Sequence, residues 1–364
     1  MTRRSRLFQT SLRDFDLAPG SSFFSPFDEI PRLQPSQESK RTMSELPFWR
    51  ALGLRYYAQG PYFKREFGGV VRKISVDAHF SCPNIDGTVG SGGCVFCDAR
   101  SFSPSRFFGL QDLDAQINDG ILKITRRFDS SRFIAYFQPS TNTHAPLDVL
   151  ERYYRVPLRR PEIVGLAIGT RPDAVPDPVL DLLATLSKET WLVLELGLQS
   201  SKDASLRWIN RGHDYACFVD ATRRAQARGL RLGVHLILGL PGETRADNLL
   251  TARRIAALGF HSVKLHNLYV VRGTPLEALW RDGQVPIQSL EEYVSFAVDM
   301  LEVLPPTTVV ERLAGEATEE FLLAPEWTSV KHCARNAIDA ELKRRNSWQG
   351  KYYDPTWRDS ESYA

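Results

Sequence analysis

Six short apolar runs, alternating with helical patterns, constrain this chain more than any other feature. They fall at residues 72–78, 132–137, 163–168, 191–196, 230–238 and 262–269, and are rich in Val, Ile, Leu and aromatics. Several are apolar at nearly every position, as parallel strands covered on both faces should be. Helical periodicity fills the intervals at 110–128, 146–154, 178–187, 215–228 and 245–258. The last two end at Gly229 and Gly259, a helix C-cap signal. Repeated βα units predict an α/β fold, an open or partial (β/α)6 barrel with a C-terminal helical/strand extension. Beyond the sixth run the pattern predicts a helix at 289–304, an extra strand at 307–312 and a closing helix at 328–345. The expected organisation is a disordered N-terminal extension at 1–42, a core domain at 43–305, an extension packed on the barrel at 306–350 and a flexible tail at 351–364. In such folds the βα loops, at the C-terminal ends of the strands, carry the chemistry.

Composition bears on compartment and partners. No run approaches the roughly 18 apolar residues of a membrane helix, so no membrane partner is expected. Residues 1–42 are rich in Ser, Pro and Arg and lack a sustained period. Four arginines without an acid in the first 13 residues favour organelle import, but Asp14, Asp16, Asp28 and Glu29 argue against it. A start at Met43 is a plainer reading. Five cysteines in 364 residues do not make a secreted disulfide scaffold, and three lie within one short loop, which points to a metal in a reducing cytoplasm.

That loop follows the first strand and runs from Cys82 to Cys94 and Cys97. Residues 83–93 include Gly87, Gly90, Gly92 and Gly93, so the backbone can take positive φ and approach a cluster closely. Three thiolates on a four-iron cube leave one iron without a protein ligand and open to a small molecule. The rival is a structural zinc held by His79, Cys82, Cys94 and Cys97. Cys217 and Cys333 sit in helical patterns among apolar neighbours and read as small buried hydrophobes.

Motifs continue in order along the chain. The loop itself reads Cys82-Pro-Asn-x-Asp-Gly-Thr-x-Gly-x-Gly-Gly-Cys94-x-Phe-Cys97. There follow Tyr136-Phe-Gln-Pro-Ser-Thr-Asn-Thr143, Ile168-Gly-Thr-Arg-Pro-Asp173, Glu195-Leu-Gly-Leu-Gln199 and Asn210-Arg-Gly-His-Asp-Tyr215. His235-Leu-Ile-Leu-Gly-Leu-Pro-Gly-Glu243 and Lys264-Leu-His266 complete the series. Over residues 45–350 the chain resembles the YhcC/YtqA-like radical S-adenosylmethionine (SAM) proteins, relatives of the elongator catalytic subunit. The resemblance implies a radical SAM partial barrel, one 4Fe–4S cluster held by Cys82, Cys94 and Cys97, and SAM on the open iron. It also implies a reductase, flavodoxin or ferredoxin as electron donor, and a tRNA substrate modified at a wobble uridine. The chain leaves no room after the barrel for an acetyltransferase domain, so acetyl transfer is not expected. His79 departs from the small residue expected there.

Each remaining motif sits where a strand runs out. Gln138, Ser140, Thr141 and Asn142 follow the second strand, where radical SAM proteins bind the SAM amino group; a capped loop explains the same residues. Arg171, after Thr170, has a planar fork suited to the SAM carboxylate or a phosphate. Glu195, an acid within an apolar run, needs a partner: a ribose hydroxyl, the methionine amine, or Arg171. Gln199 belongs to the same strand end. His235 and Gly239 lie on the segment that resembles the adenine-contacting part of the superfamily, although a strand histidine is as often a satisfied core residue. Lys264 and His266 alternate with Val263 and Leu265, which places both in the lumen as substrate or SAM contacts. Arg272 and Arg312 are lesser candidates of the same kind.

Basic clusters at 152–160, 223–231 and 343–345, with Arg126 and Arg127, suit a phosphate backbone, and Tyr153 and Tyr154 could stack a base. Solvated helix faces explain them equally. Three readings therefore stand: radical chemistry on tRNA, radical chemistry on a small metabolite or peptide, and a non-catalytic metal-bearing RNA-binding protein.

Overall fold

The computed structural model describes residues 47–101 and 112–360, so the 1–42 extension and the expected start of the 110–128 helix lie outside the described residues. Local sequence accounts for most element boundaries. Asp112 accepts from the Ala115 N–H at 3.0 Å and opens the helix Leu113–Thr125. Asp214 does the same for Tyr215–Ala227. Capping boxes at Thr244/Asp247 and Ser289/Glu292 start Arg245–Leu258 and Leu290–Val303. Gly259 ends the former in the left-handed conformation.

The strands are β1 (Val71–Val76), β2 (Arg132–Phe137), β3 (Ile163–Thr170), β4 (Trp191–Gln199), β5 (Arg231–Leu238), β6 (Ser262–Asn267), β7 (Val270–Val271), β8 (Val309–Arg312) and β9 (Leu322–Ala324). Seven form one parallel sheet in the order β1-β2-β3-β4-β5-β6-β8, and β7 and β9 make a separate antiparallel pair. The expected six-strand sheet thus gains a seventh strand from the segment read as an extra strand at 307–312. Its four residues end in two charged ones, too short a signal to place it in the sheet from periodicity. The strands are buried on both faces: Leu194 and Leu196 of β4 face the covering helices and are inaccessible, as are Leu180, Leu183 and Leu186 of Asp177–Glu189.

The sheet curls into a half-barrel, and its lumen is layered. At the N-terminal ends of the strands Trp49, Tyr57, Tyr62 and Phe63 pack on Ile134, Ala167, Val193 and Val309. The helix Gln59–Phe67 supplies Tyr62 and Phe63, so it stoppers the lumen; burying Phe63 contributes roughly 1.5–3 kcal/mol. The segment before it closes on the far edge, where Val310 N–H donates to Tyr57 O at 2.8 Å. Above the stopper lies a layer of buried charge, and above that a cavity at the C-terminal ends of the strands. No helix among the described residues is long and apolar enough to cross a membrane.

Candidate active site

The charged layer centres on Glu195 of β4, which is 1% exposed. Lys73 of β1 donates to Oε1 at 2.7 Å, and His235 Nε2 lies 2.8 Å from Oε2. Lys264 of β6 donates to Glu195 as well, and to the Tyr136 hydroxyl at 2.9 Å. Lys73 also bonds Glu311 of β8. Burial alone would raise the Glu195 carboxyl, but the ammonium groups of Lys264 and Lys73, with His235, overcome it and hold the group well below the ordinary carboxylate range. Burial first, then Lys264, lowers His235, so a neutral imidazole donates its Nε2–H to the carboxylate. Glu195 pairs with these groups rather than with Arg171.

The cavity above is lined by Cys82, Cys94 and Cys97 on one side. All three cysteines are free thiols. Residues 209–211, which precede the helix Tyr215–Ala227, hold their loop. Val95 N–H donates to Ile209 O at 3.1 Å, and Asn210 Nδ2 donates to Gly93 O at 2.8 Å. Arg211 is buried, donates Nη2 to Gly197 O at 2.6 Å and places Nη1 3.5 Å from Cys94 Sγ. Gly197 is required there, because a Cβ would sit 2.6 Å from Arg211 Nη2. Arg211 lies within a sequence motif, but a cation 117 residues and three strands along the chain from Cys94 reveals its role only when the loop is folded over it.

Among the described residues no three His, Cys, Asp or Glu side chains gather closely enough to hold one metal. His79 instead turns back on Asp77, whose Oδ1 accepts its backbone N–H at 2.7 Å. Cys97 faces the cavity with its surface open, yet desolvation by the protein around it, then Cys94 and Cys82, push its thiol up to about 12. Three thiolates so placed repel one another until a cationic group sits between them, and Arg211 already offers positive charge to one.

The other sequence candidates divide. Gln138, Ser140, Thr141, Arg171, Gln199, His235 and His266 line the cavity with Tyr136 and Arg312. Ser140 and Gln199 hold left-handed φ of 64° and 79°, strain of the kind folded chains keep at functional sites. Arg171 is clamped by Asp173 at 2.9 and 2.7 Å, while its buried Nη1 has no partner among the described residues. Asn142 is off the cavity wall: its Nδ2 donates to the carbonyls of Phe137, Pro139 and Gly169, tying β2 to β3. Gly239 packs on Gln288, which a Cβ would strike at 2.1 Å from Oε1. Lys264 belongs to the charged layer beneath, and Arg272 is exposed. Phe80 and Tyr153 meet beside the cysteine loop as a tilted pair, ring centroids 5.2 Å apart and planes at 51°.

The basic clusters are largely neutralised. Arg155 pairs with Glu151 and Glu189, Arg160 with Asp114, Arg224 and Arg228 with Asp177, and Arg345 with Asp299 and Glu341.

The chain matches known proteins over both halves. The Radical SAM superfamily profile covers residues 86–255, and the Radical SAM C-terminal domain profile covers residues 260–344. It is 37% identical over 299 residues to uncharacterized protein YtqA of Bacillus subtilis, spanning 82% of this chain and 93% of that one. It is 40% identical over 294 residues to protein YhcC of Escherichia coli, spanning 80% and 94%. A tRNA uridine(34) acetyltransferase of Dehalococcoides mccartyi is 25% identical over 184 residues, 50% of this chain and 39% of that enzyme.

Proposed function

The chain belongs to the radical SAM superfamily, among the YtqA- and YhcC-like proteins, and from that premise we propose that it is an enzyme that binds a 4Fe–4S cluster through Cys82, Cys94 and Cys97 and cleaves SAM reductively. The single observation carrying the reading is the set of three free thiols, Cys82, Cys94 and Cys97, opening on one cavity at the strand ends. When bound, cluster and SAM supply a 5′-deoxyadenosyl radical able to abstract hydrogen from an unactivated carbon.

The chain's own residues supply position and electrostatics. Arg211 sets positive charge against Cys94 and fixes the loop to β4. Arg171, near Cys94 and Cys82, offers its unpartnered Nη1 to the SAM carboxylate. Gln138, Ser140 and Gln199 offer polar groups to the amine and ribose. The Glu195 layer, with its ammonium groups satisfied, forms a rigid floor that keeps the lumen from collapsing.

The substrate we propose is tRNA, modified at a uridine. The name of the Dehalococcoides mccartyi relative supports this, as do the Phe80–Tyr153 pair and exposed Arg152 beside the cysteine loop. The ion-paired basic helices add little, although exposed pairs are weak and exchangeable for phosphate. The test is anaerobic reconstitution with iron and sulfide, then dithionite and SAM. About four irons per chain and 5′-deoxyadenosine are expected; zinc with intact SAM would overturn the reading. Retained tRNA with salt-dependent affinity is expected, and its absence would favour a small substrate.

A further inference from the structure

Arg312 ends β8 and lines the cavity on the wall away from Arg171. Among the described residues its guanidinium has neither an ion pair nor a hydrogen bond, although Glu311 is the residue before it and Glu195 stands on β4, with β5 and β6 between. Glu311 is engaged by Lys73 and by Gln59 Nε2 at 2.8 Å, and Glu195 by Lys73, Lys264 and His235. Two carboxylates (Glu195 and Glu311) thus stand against three cations (Lys73, Lys264 and Arg312); the lysines take both, and Arg312 is the cation left over.

A second orphan stands beside it. The Nε2 atom of His266 on β6 is buried and, among the described residues, without a partner, and the ring lines the same cavity. Burial first, then Arg312, pushes His266 well below the ordinary histidine range, so its imidazole is neutral and free to bond a ligand. The backbone is shaped around this spot: a Cβ at Gly315 would meet Tyr269 Cε1 at 2.7 Å and His266 Nδ1 at 3.2 Å. Gly315 N–H is anchored on Asn267 Oδ1 at 3.0 Å. A half-buried guanidinium without a counter-ion, next to an unpartnered imidazole, is a site built for an oxyanion.

We propose that Arg312 and His266 bind an oxyanion of the second substrate, a phosphate or carboxylate, and so fix the target carbon within the cavity. The proposal rests on the radical SAM reading for what else the cavity holds. The SAM carboxylate is assigned elsewhere, to Arg171, which feels the charges of Cys94 and Cys82, two of the thiols that would hold the cluster. Arg312 instead has His266, Tyr269, Tyr136 and the Lys264 ammonium as electrostatic neighbours.

The experiment uses the full chain, cluster-loaded and saturated with SAM, titrated calorimetrically with inorganic phosphate and, separately, with acetate. Wild type is expected to bind at least one of them. Arg312→Gln is expected to weaken that binding at least tenfold, Arg312→Lys only a few-fold, and surface Arg281→Gln not at all. His266→Phe is expected to weaken it several-fold, with circular dichroism unchanged for every variant. Absence of anion binding in wild type, or equal binding by Arg312→Gln, would overturn the site. Loss of SAM affinity in Arg312→Gln would also overturn it, because the guanidinium would then be holding the methionine carboxylate. Anion binding lost on Arg312→Gln in a protein that forms no 5′-deoxyadenosine would instead keep the site and remove the radical reading.

Discussion

The Lys73 ammonium, on the first strand of the sheet, lies 2.7 Å from the Glu195 carboxylate on the fourth. Two intervening strands separate them along the sheet, so the bond can form only because the sheet curls around a lumen. Glu195 also holds Lys264 of the sixth strand, and Lys73 also holds Glu311 of the last. Buried charge therefore joins the two edges of the half-barrel beneath the cavity.

Removing the central carboxylate should be costly. Glu195→Gln leaves Lys73 and Lys264 sharing Glu311 alone in a buried layer. A loss of about 3–5 kcal/mol in urea denaturation is expected, as for a broken buried ion pair. Because the folded carboxyl titrates below its unfolded value, the wild-type advantage should hold above the unfolded value and fade as pH falls through it. An advantage that does not change with pH would sink this account.

Cys82→Ala, Cys94→Ala and Cys97→Ala should each lower the iron content and abolish 5′-deoxyadenosine formation. Cys217→Ala and Cys333→Ala should keep both, since those thiols lie on helices outside the loop. Full activity in any one of the first three would remove the cluster assignment.

Arg211→Ala should leave a cluster whose reduction is harder, because a positive charge 3.5 Å from Cys94 Sγ favours the reduced, more negative state. Gly197→Ala, by displacing the same guanidinium, should shift the potential in the same direction. An electron paramagnetic resonance redox titration checks this, and an unchanged potential in Arg211→Ala would refute it.

Glu243, at the end of the Gly-Leu-Pro-Gly-Glu segment, is buried and accepts from the Ser200 hydroxyl. Burial raises its carboxyl from the ordinary 4.5 to about 7, against the opposing bonds from Ser200 and Ser205. The folded state then holds the proton more tightly, so this contribution is complete below the unfolded value and is lost as pH rises to about 7. Relative to Glu243→Gln, wild type should lose about 3 kcal/mol between roughly pH 4.5 and 7. Parallel stability curves for the two proteins would refute the shift.

Apolar runs and cysteine spacing are local properties, and they were enough to read the parallel strands, the partial barrel and the three thiols. The same alternation placed Lys264 and His266 on one face of β6, because side chains along a strand repeat every two residues. Asn142 could not be judged that way: whether an amide faces a ligand or three carbonyls depends on how two loops meet.

The linear order of residues was thus sufficient to determine the partial barrel and the family, since both rest on patterns within a few tens of residues, and the cysteine spacing is what the cluster proposal is built on. Tertiary structure alone decided that Glu195 pairs with Lys73, Lys264 and His235, that Arg211 guards Cys94, and that Arg312 has no counter-ion among the described residues. Those outcomes depend on sheet curvature and register, which bring together side chains up to about 120 residues apart in sequence and so leave no periodic trace along the chain.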